Sequence, residues 1–140
     1  MPASRPKCGD GMLAVDTNVV VRYLANDHPE QAARARELVD GSEVWLPITV
    51  VLETAWVLRS TYRRNPAEVC AALRSLVGLA TVSVEHPARV AQALDWSEQG
   101  LDFADALHLA AALECDAMIT FDAALINAAT KAGLLSVRQP

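Results

Sequence analysis

The sequence has few aromatic residues, no long apolar run and no excess of positive charge. Aromatic residues make up 5% of the 140 residues and hydrophobic residues 52%, so the core must consist of Ala, Leu and Val, which suits helices packed closely on a sheet. No uncharged apolar run approaches the ~20 residues that span a bilayer. The N-terminal stretch MPASRPKCGDG also lacks the apolar segment of a signal peptide. We therefore expect a cytoplasmic protein that makes no membrane contact.

The formal net charge of −5 argues against a protein that binds nucleic acid through a broad basic surface, because such binding depends on neutralising phosphates with Lys and Arg. Local basic patches remain open. One candidate patch contains Arg59, Arg63 and Arg64, and another contains Arg34 and Arg36. The alternative reading is that these arginines lie on solvated helix faces.

Cysteine is scarce and widely spaced, with three residues and no CxxC pair. This spacing gives no support to a zinc site or to thiol redox chemistry. We expect Cys70 and Cys115 to be small core residues.

Short apolar runs alternate with segments of helical spacing. Strands are predicted at residues 12–15, 44–48, 81–85, 117–120 and 134–137. Several of the helical segments between them begin with Pro after a polar cap and end at Gly, as helices commonly do. Strands that alternate with one or two helices predict the α/β class with a mainly parallel sheet. We expect residues 1–11 to be a flexible N-terminal extension and residues 12–140 to form one domain.

The stretch LAVDTN places a carboxylate, Asp16, directly after the first predicted strand. One interpretation is a helix N-cap, since Asp accepts hydrogen bonds from the free N–H groups of a first helical turn. The other is a functional site, because ligands of parallel α/β sheets bind beyond the carboxyl ends of the strands. Asp122 follows the fourth predicted strand and is expected at the same edge.

Two further acids lie in apolar helical segments, Glu53 in TVVLETAWVL and Asp105 in FADALHLAAAL. An unpaired buried carboxylate is costly, so each requires compensation. No basic residue lies within one helical turn of Asp105, although an Arg from elsewhere in the chain remains an alternative for both. Four acids at one site repel one another unless they bind a cation. An all-oxygen site suits Mg²⁺ or Mn²⁺ better than zinc.

These motifs occur in the order LAVDTNVVVRYL, TVVLETAWVL, GLDFADALHLAAA and ITFDAAL. In that order and spacing they resemble the motifs of the PIN-domain ribonucleases, most closely the VapC-type toxins of toxin–antitoxin modules. The resemblance covers the chain from about Met12 to the C-terminus. It implies a three-layer α/β/α sandwich around a central, mainly parallel sheet of four to five strands.

The resemblance also implies roles for individual residues. It makes Asp16, Glu53, Asp105 and Asp122 the catalytic, metal-binding acids. Supporting positions around them are Thr17, Asn18, Thr120 and Asp102. The hydroxyl groups of Thr17 and Thr120 are expected to orient carboxylates. Asp102 is either an N-cap or part of the site, and His108 is either a structural residue or a neighbour of the site.

Proteins of this kind hydrolyse RNA phosphodiesters with Mg²⁺ or Mn²⁺. The resemblance therefore implies a metal-dependent ribonuclease that acts as a toxin, forms a homodimer and binds a cognate antitoxin protein. The alternative is a catalytically inactive PIN-fold module that binds RNA or protein. Metal-dependent cleavage of RNA by the purified protein distinguishes the two.

Overall fold

The computed structural model describes residues 8–134 and 136–140. Residues 1–7 of the predicted extension 1–11 lie outside the described residues, as does residue 135 of the fifth predicted strand. The chain divides into two compact units. We call them the N-terminal unit, which ends at Pro87, and the C-terminal unit, Ala88–Pro140.

The N-terminal unit consists, in its described part, of three strands separated by pairs of helices. Its elements in chain order are β1 (Leu13–Ala14), α1 (Thr17–Ala25), α2 (Pro29–Gly41), β2 (Val44–Leu46), α3 (Ile48–Ser60), α4 (Pro66–Val77) and β3 (Val82–Val84). The strands form a parallel sheet in the order β1-β2-β3, with Leu13 opposite Val44 and Val44 opposite Val82. A helix pair thus connects each strand to its neighbour, as a parallel pairing requires.

The C-terminal unit begins in the helix α5 (Pro87–Glu98), and its other elements are α6 (Phe103–Ala111), β4 (Met118–Ile119), α7 (Ala123–Lys131) and β5 (Val137–Arg138). The strands β4 and β5 pair in parallel, with Met118 opposite Val137. The α/β class and the parallel pairing are therefore confirmed. Within the described residues, the five strands pair as one group of three and one group of two.

Aliphatic side chains dominate the core, as the scarcity of aromatic residues predicts. The most deeply buried large side chains include Leu46, Leu73, Leu94 and Leu109. Of the two cysteines predicted to be core residues, Cys70 is buried, but Cys115 is exposed. The prediction for Cys115 is wrong because this residue follows α6 in a turn between Glu114 and Asp116, where the chain is at the surface.

The helix α3 begins earlier than predicted because Pro47 ends β2 at Leu46. Pro has no backbone N–H to continue the strand pairing, but it fits at a helix start. Since the Pro47 side chain cannot cap the helix, a carboxylate just after β3 does so: Glu85 Oε1 accepts a hydrogen bond from Ile48 N at 2.9 Å. Glu85 therefore connects the end of the sheet to the first turn of α3.

Replacing Glu85 with Ala is expected to lower the free energy of unfolding by about 1 kcal/mol, the usual effect of losing a capping side chain. For a chain of this size the loss corresponds to a fall of about 3 °C in melting temperature. Glu85→Gln keeps an acceptor oxygen and should recover most of the loss, whereas Glu43→Ala removes an exposed Glu beside β2 and serves as the control. Thermal melts that show equal effects for Glu85→Ala and Glu43→Ala would contradict this role.

No helix in the described ranges 8–134 and 136–140 is both long enough and apolar enough to cross a membrane.

Candidate active site

Asp16 forms the N-cap of α1, and its carboxylate is exposed. Asp16 Oδ1 accepts a hydrogen bond from Thr17 N at 2.8 Å, which is why the helix begins at Thr17. The other carboxylate oxygen, Oδ2, accepts no hydrogen bond from the residues that the structure describes. The capping interpretation is therefore correct, and it leaves one oxygen of Asp16 available to a ligand.

Glu53 lies on α3 and is connected to α1 through a threonine. The Thr17 hydroxyl, which is buried, donates a hydrogen bond to Glu53 Oε1. Glu53 itself is exposed, although its sequence context is apolar. The apolar neighbours Val51, Ala55 and Leu58 lie on the opposite, buried face of the helix. Glu53 is therefore solvated and needs no Arg partner to compensate for burial.

Asp16 and Glu53 line the same pocket of the N-terminal unit, which has a volume of about 380 Å³. The other polar side chains that line it are Thr17, Asn18, Arg22, Thr61 and Tyr62. The volume is at the small end of the ~300–1,000 Å³ typical of ligand sites. The pocket is therefore large enough for a small ligand or for one unit of a longer, chain-like ligand.

The side chains of Arg22 and Tyr62 belong to one hydrogen-bonded group with Asp27 and Gln31. Tyr62 Oη donates to Asp27 Oδ2 at 2.7 Å and accepts from Arg22 Nη1 at 3.2 Å. Arg22 Nε donates to Gln31 Oε1 at 2.7 Å, and Arg22 Nη1 lies 3.7 Å from Asp27 Oδ1. The Tyr62 hydrogen bond lowers the pKa of Asp27 and the same bond raises the pKa of Tyr62.

In the C-terminal unit, two further acids lie at the beginning of α6. Asp102 is the N-cap, and its Oδ2 accepts a hydrogen bond from Asp105 N at 3.3 Å. Asp105 is therefore in the first turn of the helix and is partly buried, whereas Asp102 and His108 are exposed. Burial raises the pKa of Asp105, the charges of Asp102 and Asp122 raise it further, and His108 lowers it.

Asp122 is the N-cap of α7 and follows β4 by three residues. Asp122 Oδ1 accepts hydrogen bonds from Ala124 N at 2.9 Å and Leu125 N at 3.2 Å. The Thr120 hydroxyl accepts a hydrogen bond from Asp122 N at 3.0 Å. Thr120 therefore contacts the Asp122 backbone, not its carboxylate.

The four predicted ligands differ in one respect from Asp27, which pairs with Arg22 and His28. Across residues 8–134 and 136–140, ion pairs involve Asp27, and none involves Asp16, Glu53, Asp105 or Asp122. The alternative in which an Arg pairs with Glu53 or Asp105 is therefore not supported. Carboxylates without cationic partners are available to bind a cation.

The donor atoms suit a hard cation such as Mg²⁺. The described residues contain no group of three or more His, Cys, Asp or Glu side chains placed to enclose a metal ion. Mg²⁺ does not need such a cage, because proteins usually hold it through one or two carboxylates, with waters and substrate phosphates completing the shell. Asp16 and Glu53 in one pocket meet that requirement and offer only oxygen donors.

Sequence reasoning missed the group of Arg22, Tyr62 and Asp27. One signal was present: Arg22 lies four residues after Asn18, which was a predicted site residue, so the two side chains lie on the same face of α1. Nothing local indicated Tyr62, which lies 40 residues from Arg22 along the chain. Its position depends on the packing of α1 against α3.

Comparison with protein families and with curated proteins adds one match. The family model for the PIN domain matches residues 13–131, which include all four acids. A search of curated proteins finds no match. PIN domains are generally metal-dependent nucleases, so the match indicates a nuclease-type function. With one parallel three-stranded sheet, one parallel strand pair and a family match over most of its length, this chain belongs to the PIN domain family.

Proposed function

We propose that this chain is a Mg²⁺- or Mn²⁺-dependent ribonuclease of the cytoplasm, and the toxin of a toxin–antitoxin module similar to the VapC type. The observation that carries the proposal is the pair of carboxylates, Asp16 and Glu53, that share one pocket without a cationic partner among the described residues. The resemblance of the four sequence motifs to VapC-type toxins supports the finer assignment.

The metal ligands in this proposal are Asp16, Glu53, Asp105 and Asp122. A cation held by these residues would supply Lewis acidity to the phosphodiester and would lower the pKa of a bound water. The protein keeps the ligands in place: the Thr17 hydroxyl holds one oxygen of Glu53, and Thr17 N holds one oxygen of Asp16. Because these bonds use only one oxygen of each acid, the second remains available to the ion.

The first test is cleavage of single-stranded RNA by the purified protein. We expect cleavage in the presence of Mg²⁺ or Mn²⁺, because the oxygen donors bind hard cations. Cleavage should fall to background in excess EDTA and return when Mn²⁺ is added back. Zn²⁺ alone should not restore it. Cleavage that persists in EDTA would contradict the proposal. Absence of cleavage with every metal would favour the alternative of an inactive PIN-fold binding module.

We propose in addition that the protein forms a homodimer and binds a small antitoxin protein. Trp56 on α3 supports the first part, because it is 66% exposed while the other two tryptophans are buried. Burial of an aromatic side chain of this size against a partner stabilises the complex. A second copy of the chain is the partner that we expect to cover Trp56.

Light scattering should therefore give a mass of about twice 15.0 kDa. Dilution to the monomer should shift the fluorescence of Trp56 to the red as water reaches it. Trp56→Gln should weaken the dimer, whereas Leu113→Gln, which changes another exposed apolar residue, should not. A monomer at micromolar concentration would contradict the dimer, and absence of a complex with the product of the adjacent gene would contradict the antitoxin assignment.

A further inference from the structure

We infer that the Arg22 end of the N-terminal pocket is a subsite for one nucleotide of a single-stranded RNA, in which Arg22 binds a phosphate and the ring of Tyr62 stacks on the base. The inference deepens the proposed function and rests on it, since the RNA is the substrate of that proposal. The pocket also contains Asp16 and Glu53, so this subsite adjoins the proposed metal ligands.

The charges of the pocket suit a phosphodiester. Its acidic side chains are Asp16 and Glu53, and its basic side chain is Arg22. Arg22 lies six residues after Asp16 on the same helix, which separates their backbones by about 9 Å along the axis at ~1.5 Å per residue. A strand with one phosphate near the carboxylate-bound cation therefore finds a positive charge further along the same pocket.

Arg22 is held in a fixed position before any ligand binds. Gln31 accepts from Nε, and Tyr62 accepts from Nη1. Within the described ranges Nη2 donates to no protein group, so its hydrogens remain available to a phosphate oxygen. Arg forms strong, charge-assisted hydrogen bonds with phosphate, and a guanidinium that is already oriented loses less freedom on binding.

Tyr62 is oriented by its hydroxyl group, which binds Asp27 and Arg22. These bonds fix the tip of the side chain while the residue lines the pocket. Stacking on aromatic rings is the usual way in which proteins hold unpaired bases, and it tolerates any base. A fixed tyrosine beside an oriented arginine thus offers both contacts that a nucleotide needs.

The residues around Tyr62 extend the positive charge beyond the pocket. Arg59, Arg63 and Arg64 are exposed, and none forms an ion pair within the part of the chain that the structure describes. These three are the first basic patch noted in the sequence. Their positions near the C-terminal end of α3 explain how a chain of net charge −5 can still hold an RNA strand locally.

The test measures the affinity for a short, fluorescein-labelled single-stranded RNA in EDTA, where metal-dependent cleavage is absent. Fluorescence anisotropy at several salt concentrations gives Kd and its salt dependence for Arg22→Met and Tyr62→Leu. Arg22→Met is expected to weaken binding and to flatten the plot of log K against log salt by about 0.7, the value for one phosphate contact on a single strand. Tyr62→Leu is expected to raise Kd about tenfold without a change of slope, because stacking is not ionic.

Matched controls separate the subsite from general effects of substitution. Arg89→Met removes an arginine of α5 that belongs neither to the pocket nor to either basic patch, and Tyr23→Leu removes a second tyrosine of the N-terminal unit. Both should bind within about twofold of wild type, as surface changes away from a site do. Tyr62→Phe keeps the ring and loses the hydrogen bonds of the hydroxyl with Asp27 and Arg22, so its Kd should lie between those of wild type and Tyr62→Leu. Melting temperatures verify that each variant is folded.

Cleavage kinetics with Mn²⁺ distinguish the possible failures. The subsite predicts a raised KM for Arg22→Met and Tyr62→Leu with a smaller change in kcat. If wild type cleaves RNA and these variants match the controls in Kd and KM, the subsite is wrong and the proposed function stands. If wild type shows no cleavage, yet its affinity for RNA depends on Tyr62 and Arg22, the nuclease proposal fails and the binding site stands. Wild-type binding that is undetectable in EDTA, together with unchanged KM values, overturns the subsite.

Discussion

Asp16→Asn is expected to reduce metal-dependent RNA cleavage by at least about 100-fold and to leave the protein as stable as wild type. Loss of a residue that only supports a metal ligand costs about 10- to 100-fold, so loss of a ligand charge should cost more. Stability should be kept because Asn caps helices as well as Asp does. The side-chain amide oxygen of the variant can still accept the hydrogen bond from Thr17 N that Asp16 Oδ1 accepts now.

Asp16→Ala provides the comparison, because Ala removes both the charge and the cap. Its free energy of unfolding should fall by about 1 kcal/mol, in addition to the lost activity. Asp40→Asn, which changes an exposed acid on α2, controls for the change in net charge. If Asp16→Asn retains cleavage within tenfold of wild type, Asp16 serves the helix alone and is not a metal ligand.

Asp105→Asn is expected to abolish cleavage while making the metal-free protein no less stable than wild type. Burial raises the pKa of Asp105, and the charges of Asp102 and Asp122 add to that effect, so the ionised carboxylate opposes folding. Removal of the charge relieves this opposition. A purely structural Asp would show the reverse, because its removal would break a stabilising contact.

The pH dependence of that gain follows from the direction of the pKa shift. A carboxylate whose pKa is raised in the folded state destabilises the protein fully above its folded pKa, and this effect disappears below its ordinary value of 3.8. The stability advantage of Asp105→Asn should therefore be largest near neutral pH and vanish as the pH falls below that value. Thermal melts in EDTA across this range measure it.

Saturating Mn²⁺ should reverse the order of stability. Wild type binds the ion more tightly and gains about 2.7 kcal/mol when the free metal is 100 times Kd. The control is Asp116→Asn, which changes an exposed acid after α6. Relative to wild type, it should be neither more stable in EDTA nor less stable in Mn²⁺. If Asp105→Asn is strongly destabilising in EDTA, Asp105 stabilises the fold through a partner and loses its support as a ligand.

The sequence predicted the order of strands and helices because each local signal was strong. The carboxylate after an apolar run marked Asp16 at the end of β1, and the Asn-Pro start of α4 is a capping box in which Asn65 and Glu68 bind each other's backbone. The strand boundaries were less accurate. The predicted strand at residues 44–48 ended at Leu46, since the missing N–H of Pro47 favours a helix start over a longer strand.

Exposure was harder to predict than secondary structure. An apolar helical segment looks buried all round, yet Glu53 and Trp56 on α3 are exposed. A periodic pattern identifies the buried face of a helix only when the opposite face is polar, and here the exposed Trp56 and the half-buried Val57 make the outer face of α3 apolar as well. The contacts between Thr17 and Glu53 and between Arg22 and Tyr62 join α1 to side chains of α3 or the residues just after it, so no local pattern could reveal them.

The parallel sheet of the N-terminal unit also bears on how that unit folds. The paired residues Leu13 and Val44 are 31 positions apart, and Val44 and Val82 are 38 apart. Contacts at such separations require closure of long loops, which slows folding. The helix pairs α1 with α2 and α3 with α4 make contacts that are much closer in sequence. We therefore expect these helical hairpins to form first and β2, which pairs on both sides, to complete the unit only when both are in place.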